Sequence, residues 1–137
     1  MSTQEKVSGG EISLNRKFVE MMKLLNIYLN HFPKHEKFAL ANNIRNTAYK
    51  VYDLISECQK RYYKKTTLTS LDIEHEKLRM QIILANELNY FAFKDSRKNV
   101  KDAKPEHRFL AISKMIDEIG KMIGAWINKL RKTNEFK

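Results

Sequence analysis

The stretch FPKHEKFALANNIRNTAYKVYDLI, residues 32–55, decides how this chain is read. Beyond Pro33, apolar residues recur at spacings of three and four: Phe38, Ala41, Ile44, Ala48, Val51 and Ile55, continuing to Cys58 and Tyr62. That is the period of one helix face packed against neighbours. A proline suits a first helical turn, where its missing N–H is not needed. The stretch therefore predicts a helix boundary at Pro33 and a long amphipathic helix after it.

Three more segments carry the same rhythm. Before Pro33 it runs through Leu14, Phe18, Met21, Leu25, Tyr28 and Phe32. A third stripe is Leu71, His75, Leu78, Ile82, Ala85 and Ala92, joined by the polar Asn89. The fourth and clearest is Phe109, Ile112, Ile116, Ile119, Ile123, Trp126 and Leu130. Thr69 and Asp72 read as a capping box opening the third helix after a KKTTLTS loop, and Pro105 opens the fourth after the polar residues 95–104. Short connections between long helices imply antiparallel neighbours. The expected fold is all-α, an up-down-up-down four-helix bundle over residues 11–132, with a disordered tail at residues 1–10 and a short tail at 133–137. Residues 80–93 and 18–32 carry more apolar surface than one buried face needs, which points to a second buried face against another copy of the chain.

A chain of 137 residues is one domain, able to bury a core without disulfides or metals. With 26 Lys and Arg against 16 Asp and Glu, the net charge is +10 and the pI about 9.7. Such an excess favours an acidic partner such as nucleic acid. The single cysteine, Cys58, excludes an intrachain disulfide framework and fits a reducing compartment. The N-terminal residues have no apolar signal core and no run is long enough to span a bilayer, so a cytoplasmic protein is expected.

The search for chemistry is mostly negative. His31 and His35 flank Pro33 at a helix boundary, which is not a regular helical pair, and two histidines close no metal site. A carboxylate bundle centre needs two Glu-x-x-His motifs and two further glutamates. Here Asp72 and His75 keep a related spacing with no second copy. His75 and Cys58 sit on apolar stripes and read as core residues. No phosphate loop or nucleophile elbow is present. No cofactor, metal or catalytic residue is expected, and the protein reads as a non-enzyme. Gly120 and Gly124, four apart, line one side of the fourth helix. As a pair they cost about 2 kcal/mol relative to alanine, so they serve close packing, within the bundle or against another subunit.

Charge is the strongest functional signal. Residues 33–67 carry eight cations against three anions and residues 95–137 eleven against six, +5 in each, whereas residues 68–94 carry three against four. KRYYKK, residues 60–65, surrounds two tyrosines with four cations, a composition suited to phosphate contact with base stacking.

Residues 32–55, taken with MIDEIGKMIGAWI at residues 115–127, resemble the four-helix-bundle family that includes the accessory variability determinant (Avd) of diversity-generating retroelements. The same fold family includes proteins encoded by 23S ribosomal RNA intervening sequences. The resemblance covers residues 18–131. It rests on Phe32, Pro33, Phe38, Ala39, Leu40, Ile44 and Arg45, a block shared by both branches. It rests further on Asp117, Glu118, Ile119, Gly120, Gly124, Trp126 and Ile127, a block that favours the retroelement branch. The resemblance implies a homopentameric, barrel-like, basic assembly that binds nucleic acid and the retroelement's reverse transcriptase. It would support mutagenic retrohoming, in which error-prone cDNA copied from a template repeat replaces a variable repeat. The alternative is an intervening-sequence-type bundle with no polymerase partner. Arg45 is the cation carried over from the family block. Lys50, Lys60, Arg61, Lys64, Lys65, Arg97, Lys98 and Lys101 join it as expected nucleic-acid contacts from charge alone.

Overall fold

The computed structural model describes residues 9–93, 104–133 and 136. Four α-helices follow one another: α1 (Gly9–Asn30), α2 (Leu40–Lys60), α3 (Lys65–Glu87) and α4 (Pro105–Lys132), with a 3-10 turn at Lys34–Glu36. Each helix packs on its neighbours in the chain and α1 also packs on α4, which closes a four-helix bundle. There is no strand among the described residues. The core is formed by the apolar stripes: Phe18, Met21 and Leu25 of α1, Ile44, Val51 and Ile55 of α2, Leu71, Leu78 and Ile82 of α3, and Ile112, Ile116, Ile119 and Ile123 of α4 are fully buried. Burying each such side chain contributes about 1.5–3 kcal/mol, so the stripes fix which face of every helix turns inward.

The boundaries depart from the expectations in instructive ways. Pro33 stands ahead of the 3-10 turn, not in the first turn of α2. The true start of α2 is set by Glu36, whose carboxylate accepts the Leu40 N–H at 3.0 Å and the Tyr90 hydroxyl at 2.8 Å. Phe38 therefore lies outside the helix and is 92% exposed, and Tyr62, past the end of α2, is also exposed. The capping box at Thr69 and Asp72 does not form. Helix α3 starts five residues earlier, at Lys65, and Thr67 and Leu68 are themselves buried, with Thr67 Oγ1 donating to Glu57 at 3.2 Å. Thr69 instead donates to the Lys65 carbonyl one turn back.

Asn89 and Ala92 do not extend the α3 stripe. Asn89 adopts φ 61°, and the amides of Tyr90 and Asn89 bond back to the Ala85 and Asn86 carbonyls. This is a Schellman stop with asparagine in the left-handed position. The reversed chain drops Phe91 into the core, where it meets Tyr28, Phe32 and Phe109 edge-on. Arg108, only 4% exposed, locks this return: its guanidinium donates to the Phe91 carbonyl at 2.7 Å and lies 4.2 Å over the Phe93 ring. Part of the apolar surplus in residues 80–93 is thus internal. The rest is exposed, Met80 and Leu84 on α3 and Leu88 just past its end, in a line that Ile73 extends back along α3.

Candidate nucleic-acid interface

The turn between α2 and α3 is built from cations with two kinds of duty. Arg61 reaches back one helical turn to Glu57 at 3.1 Å. Lys64 Nζ donates to the Cys58 carbonyl at 2.6 Å and lies 5.9 Å from the Trp126 ring centre on α4. A cation at the last carbonyls of α2 satisfies an acceptor the helix leaves open and complements its dipole. These two residues fix the turn's shape. Lys60 and Lys65 are exposed beside them, Lys65 lying 6.0 Å from the Phe136 ring centre. Arg131 approaches the same ring at 5.1 Å. The turn and the C-terminal end of α4 therefore form one surface, to which the last turn of α4 contributes Lys129, Arg131 and Lys132.

Tyr62 and Tyr63 stand out from this surface, 80% and 63% exposed, with ring centres 4.8 Å apart and planes perpendicular. The sequence shows the KRYYKK cluster and the positive charge of residues 95–137, but Lys129, Arg131 and Lys132 are not among the contacts expected from it. The signal was present in WINKLRK, residues 126–132, where cations crowd a helix end next to the chain's one tryptophan.

The other expected contacts are dispersed. Arg45 spans α2 to α1, its Nε donating to Asn26 at 3.0 Å and its Nη2 to Asn30 at 3.1 Å. That geometry makes Arg45 a tie between helices. Lys50 pairs with Glu74 on α3 at 3.6 Å, sharing that carboxylate with Lys77 at 3.0 Å. Arg97, Lys98 and Lys101 lie outside the described residues.

The two glycines separate. A Cβ on Gly120 would stand 2.8 Å from His75 Cε1, whereas one on Gly124 would meet nothing within 4 Å. Gly120 thus makes room for the buried imidazole, which donates from Nε2 to the Ile116 carbonyl at 2.8 Å. Burial holds the His75 pKa below its ordinary value against the opposing pull of that bond and of Asp72, Glu76 and Asp117, so the ring is neutral. Cys58 is buried and its thiol is pushed up to about 11 by desolvation, which suppresses thiolate chemistry. His31 and His35 are exposed on the turn, His31 stacked on Phe93 and His35 edge-on to Tyr90. Among the described residues no group of three or more His, Cys, Asp or Glu could hold a metal ion, and no helix is long and apolar enough to cross a membrane.

No curated protein matches the chain. The family model described as bAvd-like matches residues 12–130, spanning all but the first turn of α1 and the end of α4. A match over that much of the bundle shows membership, and the Avd-like family is one of non-catalytic accessory proteins. The chain belongs to the bAvd-like family.

Proposed function

We propose that the protein is a non-enzymatic adaptor of a diversity-generating retroelement, a cytoplasmic homo-oligomer that binds nucleic acid and the element's reverse transcriptase and supports mutagenic retrohoming. Membership of the bAvd-like family is the observation that carries this reading. Two features of the molecule support it. The cations of residues 60–65 and of the end of α4 share one surface, and a protein of charge +10 gains from releasing the counterions of a polyanion. The exposed line of Ile73, Met80 and Leu84 on α3 and Leu88 at its end is an apolar face that self-association would cover, by the family resemblance in a pentamer. Catalysis then belongs to the polymerase.

Nucleic-acid binding is tested by its salt dependence. If about four phosphates are neutralised, duplex affinity falls by about two orders of magnitude from roughly 50 to roughly 200 mM salt. Binding that is indifferent to salt contradicts the reading.

A further inference from the structure

We infer that the basic end of the bundle takes unpaired strands in preference to duplex, with Tyr62 and Tyr63 as stacking platforms for nucleobases; the inference rests on the nucleic-acid reading above. Four aromatic rings gather at this end, and they differ in what already occupies them. Trp126 carries Lys64, and Phe136 lies between Lys65 and Arg131. Tyr62 and Tyr63 touch each other and are otherwise turned to solvent. They contribute nothing to the core, which closes without them. Two large exposed rings at the tip of a short turn leave apolar surface in water that a flat apolar partner would cover.

The surroundings say which flat partner fits. Lys60 and Arg61 precede the tyrosines and Lys64 and Lys65 follow them. Any base stacked on either ring therefore has its phosphate within reach of a cation. The platform is also preorganised, because Arg61 is held by Glu57 and Lys64 by the Cys58 carbonyl. Binding need not order the turn, which lowers its entropic cost. A duplex offers phosphates to this surface, but its base faces are stacked on one another. A single strand offers both phosphates and open base faces, and base–aromatic stacking tolerates any sequence. The perpendicular arrangement of the rings lets each present a different face, so two bases splayed from one strand can be accommodated.

The experiment compares a labelled oligo-dT strand with a labelled duplex of equal length by fluorescence anisotropy at one salt concentration. The proteins are the native chain, Tyr62→Ala/Tyr63→Ala, Tyr62→Phe/Tyr63→Phe and Lys60→Ala/Lys65→Ala. Both tyrosines are exposed, and melting curves check that the variants fold alike. The alanine pair weakens single-strand binding by roughly tenfold or more, the effect of losing stacked bases, and changes duplex binding by less than about twofold. The phenylalanine pair keeps the native affinity, since stacking needs the ring and not the hydroxyl. The lysine pair weakens both ligands together. Equal losses on strand and duplex, or no loss on either, overturn the stacking site while leaving nucleic-acid binding standing. Failure of the native protein to bind either ligand overturns both.

Discussion

Replacing each of the two α4 glycines by alanine should shift stability in opposite directions. In a helix interior alanine is favoured over glycine by about 1 kcal/mol. At Gly124 nothing stands within 4 Å of the new Cβ, so Gly124→Ala should realise that gain. At Gly120 the new Cβ would stand 2.8 Å from His75 Cε1, closer than such contacts exist. The ring has little room to retreat, being 5% exposed and tied through Nε2 to the Ile116 carbonyl at 2.8 Å. Overpacking a filled core costs about 1–3 kcal/mol, and weakening the imidazole bond costs about 1 more. Set against the helix-propensity gain, Gly120→Ala should destabilise the protein by about 1–3 kcal/mol. The two variants then differ by about 2–4 kcal/mol, a gap of roughly 10 °C in Tm for a chain of this size. Thermal melts at a fixed protein concentration measure it, and a His75→Ala background should restore the gain at position 120, because the obstacle is gone. Gly120→Ala stabilising as much as Gly124→Ala would refute the packing argument.

Arg108→Ala should cost about 2–4 kcal/mol, since it removes a charge-assisted bond to the Phe91 carbonyl and a cation–ring contact with Phe93; denaturant midpoints measure this, and a change under about 0.5 kcal/mol would contradict the clasp. Arg45→Lys should lose most of the α1–α2 tie, because an ammonium cannot reach Asn26 and Asn30 as a planar fork does; the expected cost is about 1 kcal/mol, with nucleic-acid affinity falling less than in the Lys60→Ala/Lys65→Ala variant. Cys58 should resist a thiol reagent at neutral pH in the folded protein and react at once in denaturant, given its burial and a pKa of about 11. Stability should fall as pH drops below about 6.5, where the unfolded chain takes up a proton at position 75 that the native ring, with its lowered pKa, still refuses. Further acidification below 4.5 should add losses from Glu36, Glu76 and Glu118, whose native pKa values are held down by hydrogen bonds. The imidazole resonance of His75 should titrate at lower pH than that of an ordinary histidine, and stability that rises on acidification would contradict the assignment.

The bundle was legible because burial repeats along a helix. Ile44, Ala48, Val51, Ile55 and Cys58 recur at three and four, and each is fully buried. The ends were harder, because they depend on partners remote in sequence. Helix α2 starts where Glu36 can cap Leu40 and meet Tyr90 from the far end of α3. Asn89 reads as one more polar residue until its left-handed backbone shows it to be a stop signal. Arg108 reads as surface charge, and its burial follows from the reversed chain at Phe91. The expected cations divided for the same reason. Composition shows that Arg45, Lys50 and Lys64 are positive, and not that asparagines, Glu74 and a helix end are already using them. His75 was placed correctly in the core with a bond to a neighbouring helix, but the glycine that admits it lies 45 residues on, and only the packed bundle brings the two together.

The most direct test of the adaptor role is light scattering of the purified protein alone and mixed with the reverse transcriptase encoded nearest to it. A homo-oligomer that forms a stable complex with the polymerase, at a mass equal to their sum, is the result expected. An oligomer that leaves the polymerase unbound contradicts the retroelement role and favours an intervening-sequence-type bundle, and a monomer contradicts the assembly itself.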